Sequence, residues 1–128
     1  MNIYSQNQYD NIFHEHVGFH TLKSIMDLSE KNYLKVFNVE KIDSQGGSIR
    51  CFICKKDSFR KISKNVKTLL YEEKKIGLFN SKKLKLFKKK ISSHISKMKK
   101  LIKKIKQSKN IISVYGASGK GQALLQYC

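Results

Sequence analysis

Three of the four histidines lie close together near the beginning of the sequence. The stretch NIFHEHVGFH, residues 11–20, contains these histidines and one glutamate: His14, Glu15, His16 and His20. Imidazole titrates near neutral pH, and an adjacent carboxylate can orient or polarise it. Two flanking phenylalanines provide the half-apolar setting in which acid and base groups are tuned. The pattern is therefore typical of proton transfer, with a metal site or a chance cluster as the alternatives.

Metal binding fits the spacing of these residues less well. His14 and His16 would face the same way on an extended strand, but the stretch is not the HExxH pattern of zinc enzymes. Cys51 and Cys54 form a single CxxC, which can be redox-active or half of a zinc site. They lie in an apparent strand, where an offset of three places the thiols on opposite faces. We therefore predict no metal site and two ordinary strand cysteines.

The first half of the chain shows alternating helix and strand patterns. Residues 21–33 have apolar residues at helical spacing, and Thr21 or Ser24 is a candidate cap. LKVFNVEKI and SIRCFICKK are strand-like, and DSQGGS between them is a glycine turn. This order favours an α/β sheet.

The second half is dominated by one long amphipathic pattern. NVKTLLYEEKKIGLF predicts a short helix, and a helix of about 25 residues follows from Ser81. Its apolar residues recur every three or four positions: Leu84, Phe87, Ile91, Ile95, Met98, Ile102 and Ile105. We interpret it as a connecting helix packed on a domain. The alternative is a basic helix that lies on an anionic membrane or binds a partner.

The last residues predict a strand, a glycine turn and a helix. Residues 110–115 fit a buried strand, GASGKG a turn, and QALLQYC the start of a helix. That order opens a nucleotide-type βα unit, in which the helix N-terminus faces an anion. The turn matches neither GxGxxG nor a Walker A loop. Because the helix has only begun at Cys128, we expect the chain to be a fragment of something longer.

The net charge of +18 comes almost entirely from one segment. Residues 61–110 carry eighteen Lys and Arg against two Asp and Glu, and lysine outnumbers arginine by 25 to 2 over the chain. Arginine is the residue expected where phosphates or base edges are gripped. We therefore predict a solvated face and no specific nucleic-acid site. The sequence has no secretory signal and no transmembrane pattern, and three cysteines fit a reducing cytoplasm.

Two stretches resemble a known family. YDNIFHEHVGFH, with the helix, strand and GGSIR loop that follow it, is similar to the Tyr-His-Glu-His segment of S-adenosylmethionine-dependent sugar C-methyltransferases. VYGASGKGQALLQYC looks like the C-terminal motif of the same family. The resemblance covers nearly all of this chain but only the later part of the family's architecture.

The resemblance implies an α/β fold in three parts. Residues 1–58 would end a Rossmann-like methyltransferase domain, residues 59–109 would form a helical connection, and residues 110–128 would start a second Rossmann-like domain. The cofactor would be S-adenosylmethionine, bound mainly by a region absent from this chain. The chain would then be inactive alone, or would work with a separately encoded N-terminal half.

The resemblance also assigns roles to individual residues. The substrate would be a nucleotide-linked 4-keto sugar, deprotonated beside its ketone so that the enolate attacks the donor's methyl group. His16 would be the base, Glu15 would orient or polarise the site, and His14 is part of the motif. Substrate-binding residues would lie in two glycine turns: Gly46, Gly47, Ser48 and Arg50 in the first, and Gly116, Ala117, Ser118 and Lys120 in the second.

One departure from the family bears on activity. The tyrosine of the family motif is Phe13 here, so a hydroxyl able to hydrogen-bond the substrate or enolate is missing. Two other functions stay open: a basic helical module over residues 81–109 for nucleic acid or an anionic membrane, and a non-catalytic sugar-nucleotide-binding remnant.

Overall fold

The computed structural model describes residues 2–12, 14–16, 18–116 and 118–127, with only the backbone of Asn2. Its architecture is α/β: the described residues contain several helices and one sheet of two strands. The elements, in chain order, are α1 (Asn2–Ser5), a 3-10 turn (Tyr9–Asn11), α2 (Leu22–Lys31), β1 (Leu34–Ile42), β2 (Ser48–Lys55), α3 (Lys64–Ile76), α4 (Ser81–Gln107) and α5 (Gly119–Tyr127).

The chain divides into two compact units that are discontinuous in sequence. Unit 1 consists of residues 1–2 and 18–79, and unit 2 of residues 3–17 and 80–128. The sheet therefore belongs to unit 1, while α4 and α5 belong to unit 2. The HEH motif is part of unit 2, although it precedes residues 18–79 of unit 1 in the sequence.

Helix α2 begins with both of the predicted capping residues. The Thr21 hydroxyl accepts a hydrogen bond from the Ser24 backbone N–H, and the Ser24 hydroxyl accepts one from the Thr21 N–H. This reciprocal pair is a capping box, which satisfies two backbone donors at the start of the helix. The sequence prediction of this helix and its caps is confirmed.

Strands β1 and β2 lie where the sequence predicts strands, and they form a hairpin. They pair antiparallel from Leu34 opposite Lys55 to Ile42 opposite Ser48, with a bulge at Phe37. In the turn, Gly46 and Gly47 have φ values of 81° and 107°, in the left-handed region that favours glycine. The paired glycines therefore have a backbone reason to be there, independent of any ligand.

The core of unit 1 lies between the hairpin and two helices. Its buried side chains come from α2, β1 and α3: Leu22, Val36, Val39, Val66 and Leu69. Cys51 packs against this cluster, and burial, with a smaller contribution from the Glu73 charge, raises the pKa of its thiol. Cys51 and Cys54 are both free thiols, and their offset of three on β2 puts them on opposite faces.

Glu73 is a buried carboxylate of α3 that contacts the N-terminus of α2. It is only 3% exposed, and its two oxygens accept the backbone N–H groups of Leu22, at 2.7 Å, and of Lys23, at 3.2 Å. These donors belong to the first turn of α2, where a helix has no internal acceptors. A side chain of α3 therefore completes the N-terminus of α2 and ties the two helices together.

We expect Glu73→Ala to lower the free energy of unfolding by about 1.5–3 kcal/mol, since hydrogen bonds to a charged group are lost from a buried site. Urea unfolding followed by circular dichroism measures the change. Glu72→Ala is the matched control, because the Glu72 carboxylate pairs with Lys41 at 2.6 Å on the surface. Such surface pairs contribute about 0–1 kcal/mol. Equal losses in the two variants would contradict the assigned role of Glu73.

Helix α4 has the predicted apolar stripe. It contains 27 residues and has no fully buried residue, and it is capped by Asn80, whose side chain accepts the N–H groups of Lys82 and Lys83. Most stripe residues are half-buried: Phe87, Ile91, Ile95, Met98, Ile102 and Ile105. Residues of unit 2 cover part of the stripe, since the Tyr4 ring packs on Phe87 at 5.1 Å between centroids.

The predicted buried strand over residues 110–115 is wrong. Within the described part of the chain these residues belong to no strand, and Ile111, Val114 and Tyr115 are 91%, 59% and 106% exposed. A strand needs a neighbour for its backbone N–H and C=O groups, and no described segment pairs with this one. Helix α5 also begins at Gly119, inside the GASGKG turn and earlier than expected.

Among the described residues, no helix combines the length and apolarity needed to span a membrane.

Candidate active site

The HEH motif follows the 3-10 turn of unit 2. His14 and Glu15 lie in a turn and are largely exposed, with 3.9 Å between His14 Nε2 and Glu15 Oε1. An ion pair at this distance, with both side chains in water, contributes little to stability. The two side chains are therefore available to a ligand at low energetic cost.

His16 is half-buried and its ring is oriented by the backbone. Its Nδ1 lies 2.8 Å from the carbonyl oxygen of Asn11. A carbonyl only accepts, so Nδ1 must carry a proton in this contact. In the neutral ring the lone pair is then on Nε2, and Nε2 is the basic nitrogen.

One face of α5 presents the residues nearest to the motif. Gly119, Gln122, Ala123, Gln126 and Tyr127 are spaced at i, i+3, i+4, i+7 and i+8, which places them along a single helical face. Ala123 is buried, while Gln122 and Gln126 are exposed. The face therefore combines a small apolar centre with two side-chain amides.

This face and the HEH motif line one cleft. The cleft has a volume of about 510 Å³, and its walls are Ile12, His14 and Glu15 on one side and the α5 face on the other. His16 directly follows Glu15 but is not among the lining residues of the described chain. Two motifs that are far apart in the sequence therefore meet within unit 2, at a site with room for a small molecule.

An aromatic cluster supports both walls of the cleft. Tyr9, in the 3-10 turn, is 4% exposed, and its hydroxyl is 2.7 Å from His94 Nδ1 on α4. Its ring meets the rings of His94 and Tyr127 edge-on, at 5.6 and 5.9 Å between centroids. The turn that precedes the HEH motif is thus packed against both α4 and α5.

Comparison with known proteins decides the family. Residues 43–128 match the family model for the C-methyltransferase C-terminal domain. The chain belongs to the C-methyltransferase family. It is also 30% identical over 122 residues to C-methyltransferase NovU of Streptomyces niveus, an alignment that covers 95% of this chain and 29% of that protein. The chain therefore spans well under half the length of this relative.

The first of the two glycine turns with predicted substrate-binding residues lies in unit 1. Gly46, Gly47 and Ser48 form the hairpin connection, and the Ser48 hydroxyl donates to the Ser44 carbonyl at 2.9 Å. Arg50 is exposed on β2 and lies 3.8 Å from the Glu40 carboxylate. These contacts stabilise the hairpin, and the substrate role of the four predicted residues stays a prediction.

The second glycine turn leads into α5. Gly116 has a φ of 103° with open space around it, and the Ser118 hydroxyl accepts the Gly121 N–H at 3.3 Å. Ser118 therefore caps α5, a role that needs no ligand. Lys120 is half-buried in the first turn of this helix. Their roles toward a substrate also stay predictions, and Phe13 and Ala117 lie outside the described residues.

The described part of the chain contains no candidate metal site. No group of three or more His, Cys, Asp or Glu side chains there is placed to hold an ion.

Several residues in or beside the cleft are not predicted from the sequence. They are Tyr9, Asn11, His94, Gln122, Gln126 and Tyr127. The helical spacing after Gly119 could have identified the α5 face. His94 follows Ile91 by three and precedes Met98 by four, so it lies beside the apolar stripe and could have been found by the same rule. Nothing in the sequence distinguishes Asn11, which acts through its backbone.

Proposed function

We propose that this chain forms the substrate side of an S-adenosylmethionine-dependent C-methyltransferase that acts on a nucleotide-linked keto sugar. The observation that carries the proposal is the cleft in which the HEH motif meets one face of α5. Family membership supports methyl transfer to carbon. Carbon is a poor nucleophile unless a base first removes its proton, and the HEH motif supplies candidate bases.

His16 is the proposed general base. The Asn11 carbonyl holds the proton on Nδ1, so Nε2 can accept the proton from the carbon beside the ketone. Removing that proton gives an enolate, whose negative charge lies partly on the ketone oxygen. His14 and Glu15 line the cleft and would contact the sugar there, with Glu15 orienting or polarising the reacting groups.

The N-terminus of α5 is the proposed site for the diphosphate of the sugar nucleotide. Gly119 lines the cleft, and backbone N–H groups at a helix N-terminus attract anions. The Lys120 ammonium, in the same turn, would add a positive charge. In our proposal Gly116, Ala117 and Ser118 shape this turn. The substrate-binding role that the family resemblance implies for Gly46, Gly47, Ser48 and Arg50 is kept as a separate proposal.

The methyl donor is proposed to bind outside this chain. In the described part of the chain, residues 110–116 belong to no strand, so the glycine turn before α5 does not form the strand, turn and helix arrangement of a donor-binding site. When bound, S-adenosylmethionine supplies an electrophilic methyl group. An N-terminal half that carries it is the proposed partner, and this chain alone is expected not to methylate.

The division of the whole enzyme into domains is also a proposal. We retain residues 1–58 as the end of a Rossmann-like methyltransferase domain, residues 59–109 as the connection, and residues 110–128 as the start of a second domain, in which residues 110–115 do not form the opening strand of a Rossmann-like unit. The family match over residues 43–128 crosses both boundaries. A reducing cytoplasm is proposed as the location, in keeping with the free thiols of Cys51 and Cys54.

Binding at fixed salt tests the proposed function. We expect calorimetry to detect binding of a nucleotide-linked 4-keto sugar and weaker binding of the same nucleotide carrying a 4-hydroxy sugar. Lys120→Ala is expected to weaken binding about 10- to 150-fold, because a charge-assisted hydrogen bond contributes about 1.5–3 kcal/mol. Lys97→Ala, which removes an exposed lysine of α4, is the matched control and should leave affinity unchanged.

The same titration distinguishes the alternative function. Helix α4 carries twelve lysines and no acidic residue, so it could bind polyanions through charge alone. Such binding would weaken steeply with salt, would respond equally to loss of Lys97 or Lys120, and would not distinguish the two sugars. That combination of results would overturn the sugar-nucleotide proposal.

A further inference from the structure

The orientation of His16 depends on a turn that is anchored from a distant part of unit 2. Tyr9 and Asn11 belong to the same 3-10 turn, in which the Ile12 N–H donates to the Tyr9 carbonyl at 3.0 Å. Both side chains are 4% exposed, so the turn is held between packed surfaces. The Asn11 carbonyl, which receives His16 Nδ1, therefore has its position set by whatever fixes this turn.

The hydrogen bond between Tyr9 and His94 joins this turn to α4. Its length is 2.7 Å, and a phenol inside a packed site has a strong need for such a partner. The edge-on contact between the Tyr9 and Tyr127 rings adds an apolar restraint from α5. Hydrogen bond and ring contact together leave the turn little freedom to rotate its carbonyl away from His16.

We propose that Tyr9 and His94 are positioning residues for His16: their hydrogen bond fixes the turn whose Asn11 carbonyl keeps the His16 proton on Nδ1 and the lone pair on Nε2. The importance of this arrangement for catalysis rests on the proposed function, but the arrangement itself does not. In this proposal neither Tyr9 nor His94 contacts the substrate. Their effect passes through the backbone of the turn to the ring of the base.

The protonation of each ring nitrogen can be measured on the chain without substrate. Nitrogen-15 NMR separates protonated from unprotonated ring nitrogens, and comparison with His16→Asn assigns the His16 signals. At about pH 8.5, where histidine side chains are neutral, we expect His16 with a protonated Nδ1 and an unprotonated Nε2. Tyr9→Phe and His94→Leu should shift the His16 population toward the tautomer with a proton on Nε2.

A conservative substitution distinguishes positioning from simple stabilisation. His94→Asn keeps a polar atom near the position of Nδ1 and should preserve the wild-type tautomer, while His94→Leu should not. His94 is exposed, so these two variants decide the question even if Tyr9→Phe does not fold. A His16 protonated on Nε2 in the wild type, or a tautomer unchanged in His94→Leu while only the melting temperature falls, would overturn the proposal.

Failure of this inference can be told apart from failure of the proposed function. Loss of the tautomer preference in His94→Leu, in a chain that binds no keto sugar, would support the positioning role and overturn the catalytic one. Sugar binding together with an unchanged tautomer in His94→Leu would support the proposed function and overturn the positioning role.

Discussion

Replacing His16 by asparagine is expected to slow proton exchange beside the substrate ketone by about 100- to 10,000-fold, the usual contribution of a general base. The asparagine amide can still donate to the Asn11 carbonyl, so the local backbone contact is kept while the basic nitrogen is lost. The measurement is deuterium incorporation at the carbon next to the ketone, followed by proton NMR in heavy water. It requires no methyl donor, so the proposed absence of a donor site from this chain does not prevent it.

His20→Asn is the matched control for this experiment. His20 is exposed, belongs to unit 1 and is not part of the HEH motif, so its loss should leave the exchange rate unchanged. Equal exchange in the wild type and His16→Asn would remove His16 from the chemistry. Equal losses in the His16 and His20 variants would mean that the effect is not specific to the HEH motif, which would also contradict the assignment.

Phe13→Tyr is expected to accelerate the same exchange by about 100- to 1,000-fold, the inverse of what removing one oxyanion-stabilising donor costs. In the family motif that this sequence resembles, a tyrosine precedes His-Glu-His. This sequence has Phe13 at that position. A hydroxyl at that position would donate to the ketone oxygen as its charge develops. In free energy the expected gain is about 2.7–4 kcal/mol.

Phe19→Tyr controls for the addition of a hydroxyl near the motif. Phe19 is 48% exposed and lies outside the HEH motif, so its variant should exchange at the wild-type rate. The double variant with Phe13→Tyr and His16→Asn tests whether the new tyrosine itself acts as the base. If it does, the exchange rate of the double variant would stay high. No acceleration in Phe13→Tyr alone would mean that the family hydroxyl does not act on the enolate here.

Features set by short-range rules were predictable from the sequence. The capping box of α2 depends on Thr21 and Ser24, which are three residues apart, and the hairpin turn depends on two adjacent glycines. The stripe of α4 follows from helical periodicity alone. Each of these is decided by residues within a few positions of one another, so the sequence contains all the information that is needed.

Features set by distant partners were not predictable in this way. Residues 110–115 have the composition of a buried strand, but a strand also requires a neighbour, which local composition cannot reveal. Glu72 and Glu73 are adjacent and chemically identical, and only packing makes one a surface ion pair and the other a buried cap. The family resemblance assigned roles to residues of both motifs. Only the three-dimensional structure shows that His14 and α5 line one cleft.

The discontinuity of unit 2 has a consequence for the order in which the protein folds during synthesis. Residues 3–17 leave the ribosome before residues 18–79, which form nearly all of unit 1, but the rest of unit 2 begins only at residue 80. Domains generally fold as units, so unit 1 can collapse on its own core before α4 and α5 are available to the HEH motif. Closing so long a loop carries an entropic cost that local contacts do not. Assembly of the cleft is therefore expected to follow the folding of unit 1.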